Sequence, residues 1–263
     1  MPRAGLVAVA LLLSACGASD EPGRRSSARL SVRPSGSVQG APLGYLEYLP
    51  PGYGDGAGRP LLVFLHGTDE SGDGSEGALQ RLLKLGVPML IEKDDWPQDR
   101  TFVVLAPQYG GEAAQDCRIA SEVDAFLRFA IEQYDIDPER VYLTGISCGA
   151  IGAWDYLSLH TNEVVAGAVL ISGHAADAVA AAGCSLARVP IWAFHGDVDD
   201  IVPRARIEAP MAELEACADP APVDLRLTVY PGVDHDAWSQ TYDLSAGHDI
   251  YNWLLEHRRA QPN

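Results

Sequence analysis

The sequence is short of positive charge. Its 263 residues include 19 Lys and Arg but 36 Asp and Glu, which gives a formal net charge of −17 at pH 7. Clustered Lys and Arg are needed to bind nucleic-acid phosphates, and basic faces are needed to adhere to anionic lipid headgroups. We therefore expect no nucleic-acid partner and no electrostatic attachment to a membrane. The length suits one domain with a short appendage, and 47% hydrophobic residues are enough for a sizeable core.

The sequence patterns that bind metals and nucleotides are also missing. The seven histidines and five cysteines are scattered, without the spacing of a zinc site. No G-x-G-x-x-G follows a predicted strand, and the Gly-rich residues 66–77 lack the lysine of a phosphate-binding loop. We expect no cofactor and no metal.

The apolar run near the N-terminus is too short to cross a bilayer. Residues 4–13 follow Arg3 and have the length of a signal-peptide core. The "LSAC" that ends at Cys16 resembles a bacterial lipobox, which implies that residues 1–15 are a lipoprotein signal peptide and that Cys16 is lipidated. The alternative is an ordinary secretory signal. Because Gly17, not aspartate, follows the cysteine, an outer-membrane position is expected if the host has two membranes.

The segment after Cys16 has the composition of a linker. Residues 16–40 are rich in Ser, Gly, Arg and Pro and have no apolar periodicity, so we predict a flexible tether and a folded domain over residues 41–263. We expect the domain to face the periplasm or the exterior and to touch the membrane only through the lipid.

Such a compartment is oxidising, and an even number of remaining cysteines permits two disulfides. These cysteines are Cys117, Cys148, Cys184 and Cys217.

Short apolar runs alternate with helical segments along residues 41–263. Continuous apolar runs that end in turn signals suit strands buried on both faces of a parallel sheet. Between them lie segments with helical spacing of apolar residues, including residues 77–91 and 121–134. The alternation predicts an α/β fold with a mostly parallel, doubly wound sheet. The predicted strands are "LGYLEYLP", "PLLVFLHG", "TFVVLAPQ", "RVYLTGIS", "AGAVLISG", "VPIWAFHGD" and "DLRLTVYPG".

A candidate nucleophile lies in "GISCG", where one of these strands meets a helix. Ser147 has glycines two residues before and two residues after it, which permits a turn too tight for Cβ atoms. A G-x-S-x-G between a strand and a helix is the nucleophile turn of α/β-hydrolases. The pattern alone is weak, because small residues are common in turns. A nucleophile also requires a base, an orienting acid and donors for an oxyanion.

Two backbone N–H groups are candidates for the oxyanion donors. One belongs to Cys148 at the start of the helix after Ser147, and the other belongs to Thr68 in "FLHGTDESG", which follows a buried strand. His66 in the same stretch is interpreted as a core residue that supports the loop and not as the base.

The acid and the base are expected after later strands. "FHGDVDDIVP" offers Asp197, Asp199 and Asp200, and "YPGVDHDAW" offers His235. The order Ser147, Asp199, His235 is that of α/β-hydrolases. Asp200 is the second choice for the acid.

These segments together resemble a known group of serine hydrolases. "HGTDESG", "RVYLTGISCGAIGAWDY", "PIWAFHGDVDDIVP" and "YPGVDHDAW" are similar to the predicted peptidases related to polyhydroxybutyrate depolymerases, feruloyl esterases and prolyl oligopeptidase catalytic domains. The resemblance implies a Ser147–His235–Asp199 triad on an α/β-hydrolase fold. This sequence departs from the group at Cys148, where Met or Gly is usual.

The predicted fold favours one pairing of the cysteines. Cys184 and Cys217 bracket one strand and its helix, so a bridge between them would brace the loop of the acid. A bridge from Cys117 to Cys148 would join a neighbouring loop to the serine turn. The alternative is that Cys148 is a small buried thiol.

The expected activity is hydrolysis of carboxylic esters through an acyl-enzyme. Only 16 residues separate "ISG" from Pro190, where many relatives insert a lid domain. This segment has no room for a lid domain, so we expect the site to be open. An open site suits short-chain esters or acyl groups on polymers. The alternatives are a prolyl-oligopeptidase-like peptidase and a non-catalytic surface-binding lipoprotein that uses the same fold.

Overall fold

The computed structural model describes Met1, residues 30–161 and residues 163–259. Apart from Met1, the predicted signal peptide lies outside the described residues, as do Cys16 and the first part of the predicted tether. Among the helices in these ranges, none has both the length and the apolar character needed to cross a bilayer.

One sheet of eight strands forms the centre of the domain, as the α/β prediction requires. The spatial order is β1-β2-β4-β3-β5-β6-β7-β8. β2 pairs antiparallel with β1 and β4, and the six strands from β4 to β8 are parallel. The strands are β1 (Ser31–Arg33), β2 (Tyr45–Tyr48), β3 (Arg59–Leu65), β4 (Val103–Pro107), β5 (Ile136–Ile146), β6 (Gly167–Ile171), β7 (Ile191–Gly196) and β8 (Leu225–Tyr230).

The last part of the predicted tether belongs to the folded domain. β1 forms the edge of the sheet, and its Arg33 binds Glu47 on β2 at 2.7 Å. Leu30 is buried in the core. The prediction of a tether up to residue 40 was therefore wrong for its final residues, because a strand of three residues has too little periodicity to be visible in the sequence.

Helices cover both faces of the sheet. Phe126, Ala153 and Ile207 belong to a core on one face, and Val87 and Trp253 belong to a core on the other. The sheet is therefore buried on both sides, which explains its continuous apolar strands. The helices are α1 (Glu76–Leu79), α2 (Gly86–Glu92), α3 (Gly111–Gln115), α4 (Ala120–Gln133), α5 (Cys148–Leu159), α6 (Ala176–Ala182), α7 (Ala205–Glu215), α8 (Trp238–Tyr242) and α9 (Ile250–Leu255), with 3-10 helices at Thr68–Glu70, Gln80–Lys84 and Gly183–Arg188.

The helix predicted over residues 77–91 is divided into three pieces. α1 continues into the 3-10 helix, and α2 begins after Leu85, whose backbone is extended (φ −154°, ψ 166°). Leu79, Leu82 and Ile91 still point into the core. Burial of these apolar side chains, not an unbroken helix, produced the periodic pattern.

The carboxyl ends of the parallel strands lie along one edge of the sheet. The loops that follow β3, β5, β7 and β8 carry the segments 66–70, 147–148, 197–203 and 231–237. In open α/β sheets, ligands bind in the crevice outside this edge. The topology therefore brings together the four segments in which the sequence predicted functional residues.

Candidate active site

Ser147 lies at the junction of β5 and α5 in a backbone conformation that is rare for a residue with a side chain. Its φ is 48° and its ψ is −119°. The turn is held by hydrogen bonds from the Ser147 N–H to the Ile171 carbonyl (2.9 Å) and from the Ile151 N–H to the Ser147 carbonyl (3.0 Å). Such conformations cost about 1–3 kcal/mol and persist only where the surroundings enforce them.

The glycine after Ser147 allows the close packing that enforces this turn. A Cβ atom on Gly149 would lie 2.3 Å from the carbonyl oxygen of Leu65, which is the last residue of β3. The first turn of α5 therefore packs directly on the backbone of the neighbouring strand. This contact places Ser147 beside the loop that contains Thr68.

His235 and Asp199 complete a continuous chain of hydrogen bonds with Ser147. The Oγ of Ser147 lies 2.9 Å from Nε2 of His235, and Nδ1 of His235 lies 2.7 Å from Oδ2 of Asp199. A carboxylate can only accept, so Nδ1 carries the proton and Nε2 is free to accept from the serine hydroxyl. The structure thus joins three side chains that are separated by up to 88 residues of sequence.

The Asp199 carboxylate is buried and fully provided with donors. Its Oδ1 accepts the N–H groups of Ile201 and Val202, both at 2.9 Å, and its Oδ2 faces His235. Asp200 is exposed at the surface, and Asp197 accepts the N–H of Gly232 at 2.6 Å. Of the three candidate acids, the structure directs only Asp199 to His235.

The two predicted oxyanion donors belong to two different segments beside Ser147. Thr68 begins the 3-10 helix after β3, and Cys148 is the first residue of α5. In the described part of the chain, no hydrogen bond uses the backbone N–H of either residue. A cavity of about 220 Å³ contacts this region. Its walls include Thr68, Glu70, Leu85, Ser147, Ile201, His235 and Trp238.

Both favoured disulfides are present in the structure. Cys117 pairs with Cys148, with 4.9 Å between the Cα atoms, and Cys184 pairs with Cys217, with 5.6 Å between the Cα atoms. The first bridge joins the residue that carries a candidate oxyanion donor to the loop before α4. In residues 30–161 and 163–259, no three His, Cys, Asp or Glu residues are grouped closely enough to hold a metal ion.

Comparison with known proteins places this geometry in a family. A model of the phospholipase/carboxylesterase family matches residues 105–248, more than half of the chain. The chain belongs to this phospholipase/carboxylesterase family. It is a serine hydrolase and an esterase with the α/β-hydrolase fold. No curated protein matches the sequence significantly.

Solved structures show the same fold. A thermostable esterase is 25% identical with a TM-score of 0.61, and the alignment covers 82% of this chain and 60% of that chain. The present chain therefore spans about three fifths of that esterase. A feruloyl esterase module from Clostridium thermocellum, solved with sinapinate, is 16% identical with a TM-score of 0.62 and 86% coverage of both chains. A putative dienelactone hydrolase from Klebsiella pneumoniae subsp. pneumoniae MGH 78578 is 14% identical with a TM-score of 0.59, covering 86% of this chain and 98% of that chain.

His66 has the supporting role that the sequence predicted for it. Its fully buried imidazole stacks on the Tyr109 ring with centroids 3.8 Å apart. Nδ1 donates to the Gly67 carbonyl (2.6 Å), and Nε2 accepts the Tyr109 N–H (3.1 Å). Burial lowers the pKa of His66 from 6.5 to about 4, since a charged imidazole would lose its hydration there. The neutral ring thus fixes the loop of Thr68 in the esterase.

Two further polar residues support the esterase site and were missed in the sequence. The Ser172 hydroxyl donates to the His235 carbonyl at 2.8 Å. Nε2 of His195, which is fully buried, lies 2.8 Å from the Val202 carbonyl and 3.2 Å from Oδ2 of Asp199. A histidine inside the apolar run "PIWAFHG" was the signal for the second residue, because a buried imidazole needs a polar partner. Ser172 carried no signal, since its partner is 63 residues away.

The stability of the esterase should fall in mild acid because of His66. A folded-state pKa of about 4 against an unfolded-state value of 6.5 means that unfolding binds a proton between these values. The stabilisation is complete above pH 6.5 and is lost as the pH falls towards 4, by about 3 kcal/mol at 1.36 kcal/mol per pKa unit. Denaturant unfolding at pH 7, 5.5 and 4.5 should show a shallower decline for His66→Gln than for the wild type. Equal slopes for the two proteins would contradict the assignment.

Replacement of His195 should weaken both folding and turnover. His195→Leu removes the donor beside Val202 and Asp199, and an unsatisfied buried acceptor costs about 1–3 kcal/mol. We expect a lower free energy of unfolding and a lower kcat, whereas His195→Gln, which keeps a donor near Nε2, should retain more of both. A wild-type kcat in the leucine variant would show that His195 does not support the site.

Proposed function

We propose that the enzyme hydrolyses carboxylic esters through a Ser147–His235–Asp199 triad and a covalent acyl-enzyme. The observation that carries the proposal is the unbroken hydrogen-bond chain from the Ser147 hydroxyl through both nitrogens of His235 to the buried Asp199 carboxylate. This arrangement lets a weakly acidic alcohol act as a nucleophile, since a base lies within hydrogen-bond reach and is itself oriented by an acid.

Acylation begins with attack of Ser147 Oγ on the ester carbonyl carbon. Nε2 of His235 takes the hydroxyl proton as the new C–O bond forms, and the carbonyl oxygen becomes an oxyanion. The unpaired N–H groups of Thr68 and Cys148 donate to that oxygen. His235 then returns the proton to the leaving alcohol as the old ester bond breaks.

Deacylation repeats these steps with water. His235 removes a proton from a water molecule as the water oxygen attacks the acyl carbon, and the same N–H groups bind the second oxyanion. Collapse releases the carboxylic acid and returns the proton to Ser147. Asp199 fixes the proton on Nδ1 and stabilises the imidazolium in both halves of the reaction.

The cavity beside Ser147 favours a small acyl group or one displayed on a larger molecule. Its volume of about 220 Å³ suits a short acyl group, and Leu85, Ile146 and Trp238 form an apolar part of a wall that also includes Asp69 and Glu70. The side chain of Ile201 at its rim is 66% exposed, so this rim is open to solvent. The structural likeness to the feruloyl esterase module is compatible with an aromatic acyl group carried by a polymer.

Substitution of the triad tests the proposed mechanism. Ser147→Ala should abolish hydrolysis of p-nitrophenyl butyrate and labelling by a fluorophosphonate, because it removes the hydroxyl that lies 2.9 Å from Nε2 of His235. Asp199→Asn should lower kcat by about 10⁴, the loss expected when the imidazole adopts the wrong tautomer. The exposed neighbour is the matched control, and Asp200→Asn should retain nearly full activity. Labelling that survives Ser147→Ala, or a larger loss for the Asp200 variant, would overturn these assignments.

The preference for short acyl chains has its own test. We expect kcat/KM to be highest for p-nitrophenyl acetate or butyrate and to fall with octanoate and palmitate, because the cavity has no room for a long chain. Methyl ferulate and acetylated xylan extend the series to acyl groups of plant polymers, and a proline peptide tests the peptidase alternative. A maximum at palmitate would contradict the small cavity, and a faster reaction with the peptide would make the enzyme a peptidase.

A further inference from the structure

One loop contacts both backbone segments that carry the proposed oxyanion donors. This brace loop, residues 108–119, connects β4 to α4. On the side of Thr68, the Gly72 N–H donates to the Tyr109 carbonyl at 3.1 Å, and the Tyr109 hydroxyl donates to the His66 carbonyl. Nε2 of Gln108, a buried side chain, donates to the Glu70 carbonyl at 2.8 Å. These hydrogen bonds, together with the stacking of Tyr109 on His66, hold the loop of Thr68.

On the side of Cys148, the brace loop is attached covalently. Cys117 adopts a left-handed backbone (φ 57°) that directs its side chain to Cys148 in the first turn of α5. The neighbouring Ile119 packs so closely on the same helix that a Cβ atom on Gly152 would lie 2.2 Å from it. The Cys117–Cys148 bridge thus attaches the Cys148 side of the proposed oxyanion hole to the loop that holds the Thr68 side by hydrogen bonds.

We propose that the Cys117–Cys148 disulfide positions the Cys148 N–H for catalysis and that its reduction slows turnover. The inference rests on the proposed function, in which this N–H stabilises the oxyanion. Cys117 does not touch the substrate; it is a positioning residue that acts through the backbone of Cys148.

The backbone geometry explains why a bridge is useful at this position. The Cys148 N–H belongs to the peptide bond that follows Ser147. The φ of Ser147, 48°, is unfavourable, and the backbone can relax to a more favourable angle if the first turn of α5 is free to shift. An oxyanion donor must lie about 2.7–3.1 Å from the oxygen, and the loss of one donor lowers kcat by about 10²–10³. A donor that is displaced but present should cost less, so we expect a fall in kcat of at least about tenfold. The interaction forms in the transition state, and KM should therefore change little.

One of the two cysteines is partly exposed. Cys148 is buried, whereas Cys117 is half-buried and lines a cavity of about 560 Å³ together with Asp116, Arg118 and His174. We expect a dithiol such as dithiothreitol to attack the bridge from this cavity. Its thiolate forms a mixed disulfide with one cysteine and releases the other, and its second thiol then displaces the protein. Two electrons and two protons pass to the pair, which leaves two cysteine thiols and a cyclic disulfide.

The second disulfide supplies a matched control. Cys184 and Cys217 close a loop of 33 residues, against 31 for the first bridge, so their loss should lower Tm by a similar amount in the chain-entropy description. They join the 3-10 helix after α6 to the end of α7. The sequence led us to expect that this bridge braces the loop of the acid, but the structure holds the Asp199 carboxylate through the N–H groups of Ile201 and Val202 and through His235. Neither Cys184 nor Cys217 has a role in the proposed mechanism.

The decisive experiment compares the two pairs of cysteines. Cys117→Ala/Cys148→Ala should lower kcat for p-nitrophenyl butyrate, and the rate of fluorophosphonate labelling, at least tenfold with KM within about twofold. Cys184→Ala/Cys217→Ala should keep kcat within about twofold despite its lower Tm. If the first variant does not fold, the second is used alone, since it retains only the Cys117–Cys148 bridge. Dithiothreitol should then lower its kcat, and reoxidation should restore it.

The outcomes separate this inference from the proposed mechanism. A wild-type kcat in the Cys117/Cys148 variant would overturn the role of the bridge and leave the triad intact. The same conclusion would follow if the control variant kept its kcat after a thiol titration had shown that its remaining bridge was completely reduced. Equal losses of kcat in both disulfide variants would also overturn it, because they would report general destabilisation. Failure of the mechanism itself appears elsewhere, as activity that survives Ser147→Ala.

Discussion

The strained backbone of Ser147 is the feature on which the rest of the site depends. A φ of 48° is unfavourable for serine, yet in this conformation the Ser147 hydroxyl lies 2.9 Å from Nε2 of His235. Three contacts oppose relaxation of this backbone conformation: the packing of Gly149 on β3, the hydrogen bond from Ser147 to Ile171, and the bridge from Cys148 to Cys117. These contacts of the fold thus offset the unfavourable free energy of the Ser147 backbone conformation.

The acid and the base of the triad are likewise held in place by hydrogen bonds from neighbouring groups. Asp199 receives two backbone N–H groups and faces a second, fully buried histidine, and the main chain of His235 is held by Ser172. Because these supporting groups are buried, each must keep its hydrogen-bond partner or incur a desolvation cost. A site whose polar groups are already oriented in this way needs little rearrangement when charge develops during the reaction.

Sequence reasoning located candidate residues where the signal was local. Ser147, Asp199 and His235 each follow a strand whose apolar run and turn residues are visible within about ten positions, and the structure brings their side chains within hydrogen-bond distance. It failed where the deciding contact was distant or the element short, as for β1, for the division of residues 77–91 and for Ser172. Lipidation of Cys16 and export remain predictions, because these residues lie outside the described ranges.

By itself, the sequence determined the α/β class, the chain order of the triad candidates and the presence of four cysteines suited to two bridges, since these depend on residue type and on periodicities of two to four positions. Only the tertiary structure decided that Asp199, not Asp200, faces His235, that His195 supports it, and that one loop reaches both candidate oxyanion donors. These facts depend on ångström-scale distances between segments far apart in the chain. Such distances result from the packing of the whole sheet and its helices, which no local pattern encodes.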